Sequence, residues 1–231
     1  TVASNTLTAT ADGRTTQFTA ATIAGPAARL SLNVGNSQSA IVGTAVPIAP
    51  SVRVTDTNNN LVTTPVAVTF SVASGGGSVD TGVPTVTLQS AAGLATVSNW
   101  RVGPTVGTNN NTLTASSTGL TGSPVTFTAS GTAGAAASVA VSAGQGQSAT
   151  AGTTVPVPPA VVVRDALGNP KAGVEVTFAV TVGGGTVAPS TRTTDAQGVA
   201  AVTGWVLGTT VGANAFTATA ATNHTEPESE N

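Results

Sequence analysis

Val174-Glu175-Val176-Thr177-Phe178-Ala179-Val180 alternates large apolar residues with small or polar ones without a break. A period of two puts Val174, Val176, Phe178 and Val180 on one face of a strand and leaves Glu175 and Thr177 on the other. Val66-Ala67-Val68-Thr69-Phe70-Ser71-Val72 has the same pattern, with Val66, Val68, Phe70 and Val72 facing inward. Turn formers lie between such runs: Asn58-Asn59-Asn60, Gly75-Gly76-Gly77, Leu167-Gly168-Asn169-Pro170 and Gly183-Gly184-Gly185. No stretch carries an apolar i, i+3, i+4, i+7 stripe of useful length. The chain is predicted to be all-β.

The two runs belong to a longer self-similarity. Phe70 and Phe178 lie 108 residues apart, as do Gly75 and Gly183. Gly35-Asn36-Ser37-Gln38-Ser39 returns 109 residues later as Gly144-Gln145-Gly146-Gln147-Ser148, and Pro47 and Pro50 return as Pro156 and Pro159. Trp100-Arg101-Val102-Gly103 returns as Trp205-Val206-Leu207-Gly208 at an offset of 105. Such a period exceeds that of a solenoid repeat and matches one β-sandwich of about 100 residues and roughly seven strands. In the first full unit, strands are predicted near residues 28–34, 50–56, 66–73, 84–89, 94–99, 110–116 and 124–130.

Val162-Val163-Arg164-Asp165-Ala166-Leu167-Gly168-Asn169-Pro170-Lys171-Ala172-Gly173-Val174-Glu175-Val176-Thr177-Phe178 resembles the bacterial immunoglobulin-like domain of group 1. Gly183-Gly184-Gly185-Thr186-Val187, Thr194-Asp195-Ala196-Gln197-Gly198-Val199-Ala200 and Trp205-Val206-Leu207-Gly208 follow in that family's order. The first unit departs from the pattern, with Asp56-Thr57-Asn58-Asn59-Asn60 and Ala91-Ala92-Gly93-Leu94-Ala95 at the matching turns. The resemblance spans residues 28–222. It implies tandem immunoglobulin-like β-sandwiches of the kind that form stalks of intimin- and invasin-type adhesins, on a bacterial cell surface or outside the cell.

Composition narrows the chemistry. Of 231 residues only 7 % are charged, against roughly 25 % in an ordinary soluble domain, and the formal net charge is −2. Three of the nine acids, Glu226, Glu228 and Glu230, fall in the last nine residues. No basic run exists to neutralise a row of phosphates, so nucleic acid is excluded as a partner, and no apolar run is long enough to span a membrane as a helix. Without Cys the chain has no disulfide, no thiolate metal site and no thiol nucleophile. His224 is the only histidine and sits in a polar tail that cannot hold an imidazole against a serine. No catalytic residue, cofactor-binding residue or metal ligand is assigned, no cofactor is expected, and the chain is not read as an enzyme.

Several residues invite a sharper reading. Trp100 and Trp205 occupy equivalent positions, each after a strand, and an exposed Trp platform would grip a sugar ring. With aromatics at 3 % and no Tyr, no surface of several stacked rings can form, so core packing is the better reading. Asp56 and Asp165 are equivalent and could help ligate calcium at a domain junction, which needs six to eight oxygens. The chain's five Asp are scattered, so these two read as Asx-type turns, and Asp195 as a hairpin turn. Lys171, the only lysine, follows Pro170 in a turn, a poor place for an isopeptide crosslink. Gly75-Gly76-Gly77 and Gly183-Gly184-Gly185 lack the following helix of a phosphate loop. Asn110-Asn111-Thr112 and Asn223-His224-Thr225 match the short, common glycosylation sequon.

The ends of the repeat do not coincide with the ends of the sequence. Asn5-Thr6-Leu7-Thr8-Ala9 aligns with Asn111-Thr112-Leu113-Thr114-Ala115, and Gln17-Phe18-Thr19-Ala20 with Thr126-Phe127-Thr128-Ala129. Residues 1–27 therefore read as the last strands of a preceding or swapped unit, 28–135 as domain 1, 136–222 as domain 2 without its final strand, and 223–231 as an acidic flexible tail. With no initiator Met and no signal peptide, the sequence reads as a processed product or an excised piece. The expected function is a structural or adhesive stalk segment. One alternative is a head-to-tail extracellular filament, in which Thr16, Gln17, Phe18, Thr19 and Ala20 complete a neighbour's sandwich. Another is an adhesin module that binds a host or surface glycan or a receptor.

Overall fold

The computed structural model describes residues 4–221. All regular elements among them are strands, and no helix is long and apolar enough to cross a membrane. The chain divides into two compact units, Thr1–Thr132 and Ala133–Asn231.

Unit 1 opens with a hairpin of β1 (Ser4–Ala11) and β2 (Arg14–Ala21), turned at Asp12 and Gly13, which both take positive φ. That turn type matches the twist of its flanking strands. The rest of the unit comprises β3 (Arg29–Val34), β4 (Gln38–Ile41), β5 (Ser51–Thr55), β6 (Ala67–Ser74), β7 (Ser78–Val79) and β8 (Thr85–Gln89). After these come β9 (Leu94–Thr96), β10 (Trp100–Arg101), β11 (Gly107–Ser116) and β12 (Val125–Thr132). One sheet runs β4-β12-β11-β6-β8, a second β3-β5-β9, and β10 pairs with β7 as a short ribbon. The core joins the inner faces of the two sheets, with Leu30, Val52 and Val54 from one and Val68, Phe70, Leu113 and Phe127 from the other. This is the alternation that the period-two runs dictate.

Unit 2 repeats the frame with β13 (Ala136–Ala143), β14 (Ala160–Asp165), β15 (Glu175–Val182), β16 (Thr186–Ala188), β17 (Thr191–Thr193), β18 (Val199–Ala201), β19 (Gly204–Val206) and β20 (Ala215–Ala220). Its sheets run β13-β14-β18, β17-β15-β20 and β16-β19. Registers repeat residue for residue: Leu30 faces Val54 as Val139 faces Val163, Phe70 faces Ala115 as Phe178 faces Ala218, and Trp100 faces Val79 as Trp205 faces Val187. The fold is all-β, two immunoglobulin-like sandwiches in tandem, with no cysteine to cross-link them.

Three local expectations are corrected. β4 is a strand that residue pattern did not reveal, because its partner is the distant β12, to which it pairs in parallel. Trp100 and Trp205 come after β9 and β18 but themselves lie within the short strands β10 and β19, which the residue pattern did not reveal. Asp195 does turn the chain, with its carboxylate accepting from the amides of Gln197 and Val199 at 2.9 Å each. However, the strands on either side, β17 and β18, belong to different sheets, so the turn carries the chain across the sandwich and is not a hairpin.

Candidate functional site

Among the described residues β12 has no counterpart in unit 2. In unit 1 this strand places Phe127 and Ala129 in the core, both fully buried, and pairs with β11 in the register Leu113 to Phe127. In unit 2 β20 occupies the place of β11 and, among the described residues, pairs only with β15. The counterpart of β4 is also no strand there. Gln147 nevertheless ties its loop as Gln38 does in unit 1: each side-chain amide donates to two carbonyls, Gly144 and Val157 or Gly35 and Ile48, at 2.7–2.9 Å. Each amide oxygen also accepts an N–H at 2.7 Å, from Val157 or Ile48. The loop is formed, and among the described residues no strand pairs beside it.

A groove of about 360 Å³ lies along that edge, with a floor of Val161, Phe178, Trp205, Phe216 and Ala218. Trp205 meets Phe216 edge to face, with ring centroids 4.9 Å apart at 77°, and Phe216 lies 6.0 Å from Phe178. The equivalents in unit 1, Val52, Phe70, Trp100, Leu113 and Ala115, are all 0 % exposed beneath β12. In the facing sheet Val139 is 40 % exposed where Leu30 is 2 % exposed. Among the described residues the polar side chains lining the groove are Gln145, Gln147 and Asn214, and none of the lining residues ionises. Its described lining can bury apolar surface and pair with a backbone.

The remaining candidates are occupied internally. The Trp100 side chain is wholly buried and offers no face to a sugar. The indole N–H groups of Trp100 and Trp205 are both buried without an acceptor. The Asp56 carboxylate accepts hydrogen bonds from the amides of Gly25, Asn58 and Asn60 at 2.8–2.9 Å and from the Asn60 side chain at 3.0 Å. Asp165 does the same with Gly134, Leu167 and Asn169. The side-chain amide of Asn60, then the Gly25 amide and the other turn amides, hold the Asp56 carboxyl down at about 2. Burial pushes Asp165 upward, yet the Asn169 amide, the Gly134 amide and the other donors outweigh it and its carboxyl also titrates below the ordinary range.

Among the described residues no three of His, Cys, Asp and Glu come together. Lys171 is half-buried and donates to the Ala133 carbonyl at 3.3 Å. The glycine triplets serve close packing: Gly75 and Gly183 pass over Gly103 and Gly208 with no room for a Cβ between them. Asn110 lies in β11, where its side chain donates to the Thr105 carbonyl and accepts from the Gly131 amide. His224, the sequon at Asn223 and the acidic residues Glu226, Glu228 and Glu230 lie outside the described residues.

No protein-family model and no curated protein matches the chain. Among solved structures it is similar to the D0-D1 domain of intimin, at 21 % identity over 83 % of this chain and 90 % of that one, with a TM-score of 0.30. It is also similar to FdeC, an Escherichia coli adhesin, at 14 % identity over 96 % and 70 % of the two chains, with a TM-score of 0.48. Invasin, a bacterial integrin-binding protein, matches at 18 % identity over 83 % of this chain and 36 % of its own, with a TM-score of 0.39. These similarities are weak, and the assignment of the fold rests on the strand pairings described above.

Proposed function

We propose that the chain is a non-enzymatic structural segment of a bacterial cell-surface or extracellular protein, a stalk of serial immunoglobulin-like units that bears load and sets distance. The observation that carries this reading is the repeated carboxylate clamp. Asp56 fixes the segment leading into the first sandwich at Gly25, and Asp165 fixes the segment leading into the second at Gly134. A unit that transmits force needs its leading segment tied to its own body, because tension reaches the sandwich through that segment. The sequence pattern shared with stalk repeats supports the same reading. So does the internal use of the Asp, Gln and Asn side chains, which leaves few groups aimed outward at a ligand.

Pulling the full chain between its ends in a single-molecule force experiment tests this. Two discrete unfolding events are expected, each lengthening the chain by roughly 30–35 nm, the extended reach of about 100 residues. Asp165→Ala should lower the force of one event and leave the other unchanged. A chain that extends without discrete events does not bear load, and the reading fails.

A further inference from the structure

We infer that unit 1 pairs with unit 1 of a second copy of this chain along the edge strand β8, antiparallel and about a two-fold axis at Thr87. β8 is an internal strand of unit 1 and ends its five-stranded sheet, with β6 on one side. The Val72 amide donates to the Pro84 carbonyl at 2.8 Å, and the Ser90 amide to the Val66 carbonyl at 2.9 Å. Backbone groups alternate in direction along an antiparallel strand, so Val86 and Leu88 also bond towards β6. The N–H and C=O groups of Thr85, Thr87 and Gln89 face the other way. Among the described residues no strand or isolated bridge meets them there.

An exposed edge is a template for another strand, and proteins commonly blunt it with charge, proline or shortness. Other edges here are blunted. β3 carries Arg29, β9 has three residues, and β17, the matching edge of unit 2, has three with Arg192 in the middle. β8 has no such protection: Thr85-Val86-Thr87-Leu88-Gln89 contains neither charge nor proline, and no charged residue occurs between Asp80 and Arg101.

The strand is also complementary to itself. Turned about Thr87, it sets Thr87 opposite the copy's Thr87, Val86 opposite Leu88 and Thr85 opposite Gln89, apolar against apolar and polar against polar. That register pairs every residue of β8, and each outward-facing pair exchanges both of its backbone bonds. Val86 and Leu88 lie half-buried against the unit 1 core, so pairing covers the side of each that water still reaches. On the opposite face the hydroxyl contacts of Thr69 with Thr87 at 2.9 Å and of Ser71 with Thr85 at 3.2 Å run up to the seam. The copy's Thr87 and Gln89 extend those rows.

Both copies use the same surface, so the contact closes on itself and builds nothing larger than a pair. One short strand falls below the roughly 1,200 Å² of a stable interface, so the pair is weak in dilute solution. Copies anchored side by side, as the stalk reading places them, are held at high effective concentration, where such a seam forms. The pairing itself does not rest on that reading.

The test uses the full chain, which has no cysteine. Sedimentation from about 10 μM to about 1 mM, the range of a weak pair, is expected to show monomer giving way to dimer and nothing larger. Thr87→Cys sets two thiols across the axis at a Cα separation of about 5.5 Å, within disulfide reach, so mild oxidation should link the pair. Thr85→Cys and Gln89→Cys each hold like residues about 14 Å apart and should link at least about tenfold more slowly. Thr87→Lys sets like charges face to face and should keep the chain monomeric throughout. Thr87 is exposed, so this variant leaves unit 1 folded, which its circular dichroism will show. Monomer alone up to about 1 mM, a dimer that survives Thr87→Lys, or equal linking at the three cysteine positions would each overturn the inference. None of these outcomes touches the stalk reading, which is decided by force.

Discussion

Asp165 accepts a hydrogen bond from the Gly134 amide at 3.1 Å, and Asp56 stands in the same relation to Gly25 at 2.8 Å, 109 residues earlier. In each unit one carboxylate closes its own turn and also holds the chain segment that leads into the sandwich. Its oxygens accept from backbone amides, which is why the turn survives the change from Ala-Leu-Gly-Asn after Asp165 to Thr-Asn-Asn-Asn after Asp56. Only the final Asn, Asn60 or Asn169, is kept to brace the carboxylate.

This clamp makes stability depend on pH with a definite sign. The folded Asp56 carboxyl titrates at about 2, below its ordinary 3.8, so the folded state takes up a proton less readily than the unfolded one. The contribution is therefore complete above the unfolded value and is lost as pH falls through about 2. Urea midpoints of the parent chain and of Asp56→Asn, compared from pH 7 down to pH 2, should differ at neutral pH and converge at the acid end. A difference that persists unchanged to pH 2 would show that the carboxylate's charge is not what the clamp uses. Asp165→Asn should behave in the same direction.

Unit 2 should unfold before unit 1. Among the described residues the unit 1 core contains sixteen buried apolar residues and that of unit 2 seven. Loss of a buried Phe alone costs about 3–5 kcal/mol, so a stability gap of at least about 3 kcal/mol is expected. One tryptophan sits in each unit. Trp100→Phe leaves Trp205 to report on unit 2, and Trp205→Phe leaves Trp100 to report on unit 1. Coincident urea transitions would contradict the core comparison.

The sandwich was legible in the sequence because its signal is local. Phe70 and Phe178 sit in period-two runs, and burial follows the alternation along β6 and β15. β4 was not legible, since Gln38–Ile41 becomes a strand only through its parallel pairing to Ala129–Thr132. The equivalent residues 147–150, without such a partner, form none. The groove was legible only in part: the repeat matches Phe178 and Trp205 to Phe70 and Trp100, but does not show that Val139 is 40 % exposed where Leu30 is 2 % exposed. The glycine triplets showed a need for unusual backbone angles and hid their closer purpose, because the atoms a Cβ there would strike belong to Arg101 and Asn111, or Val206 and Asn214, more than twenty residues away.

The glutamine clamps act as loop braces of equal worth in the two units. Gln38 and Gln147 each make three hydrogen bonds to backbone groups. At about 0.5–1.5 kcal/mol net per bond, partly recovered by water at an exposed loop, Gln38→Ala and Gln147→Ala should each lose about 1–3 kcal/mol. Calorimetry should show each substitution shifting only its own unit's transition. A shift in both transitions would mean that the units do not unfold independently.

The tightest point of each sandwich is where a glycine triplet crosses the loop after the tryptophan. The Gly103 amide donates to Asn111 Oδ1 at 2.7 Å, and the Gly208 amide to Asn214 Oδ1 at 3.0 Å. A Cβ at Gly103 would overlap the Gly75 carbonyl, and one at Gly208 the Gly183 carbonyl. Backbone atoms held from both sides cannot step aside as a flexible side chain would, so Gly103→Ala should destabilise unit 1 by about 3 kcal/mol or more, the upper end for overpacking. Gly76 provides the contrast: it has positive φ, at 72°, which Gly103 does not, and an added Cβ there meets nothing within 4 Å. Gly76→Ala should therefore cost only the left-handed backbone penalty, about 1–2 kcal/mol. Urea unfolding followed by Trp100 fluorescence in a Trp205→Phe background measures both. If Gly103→Ala is no worse than Gly76→Ala, close approach does not hold this crossing.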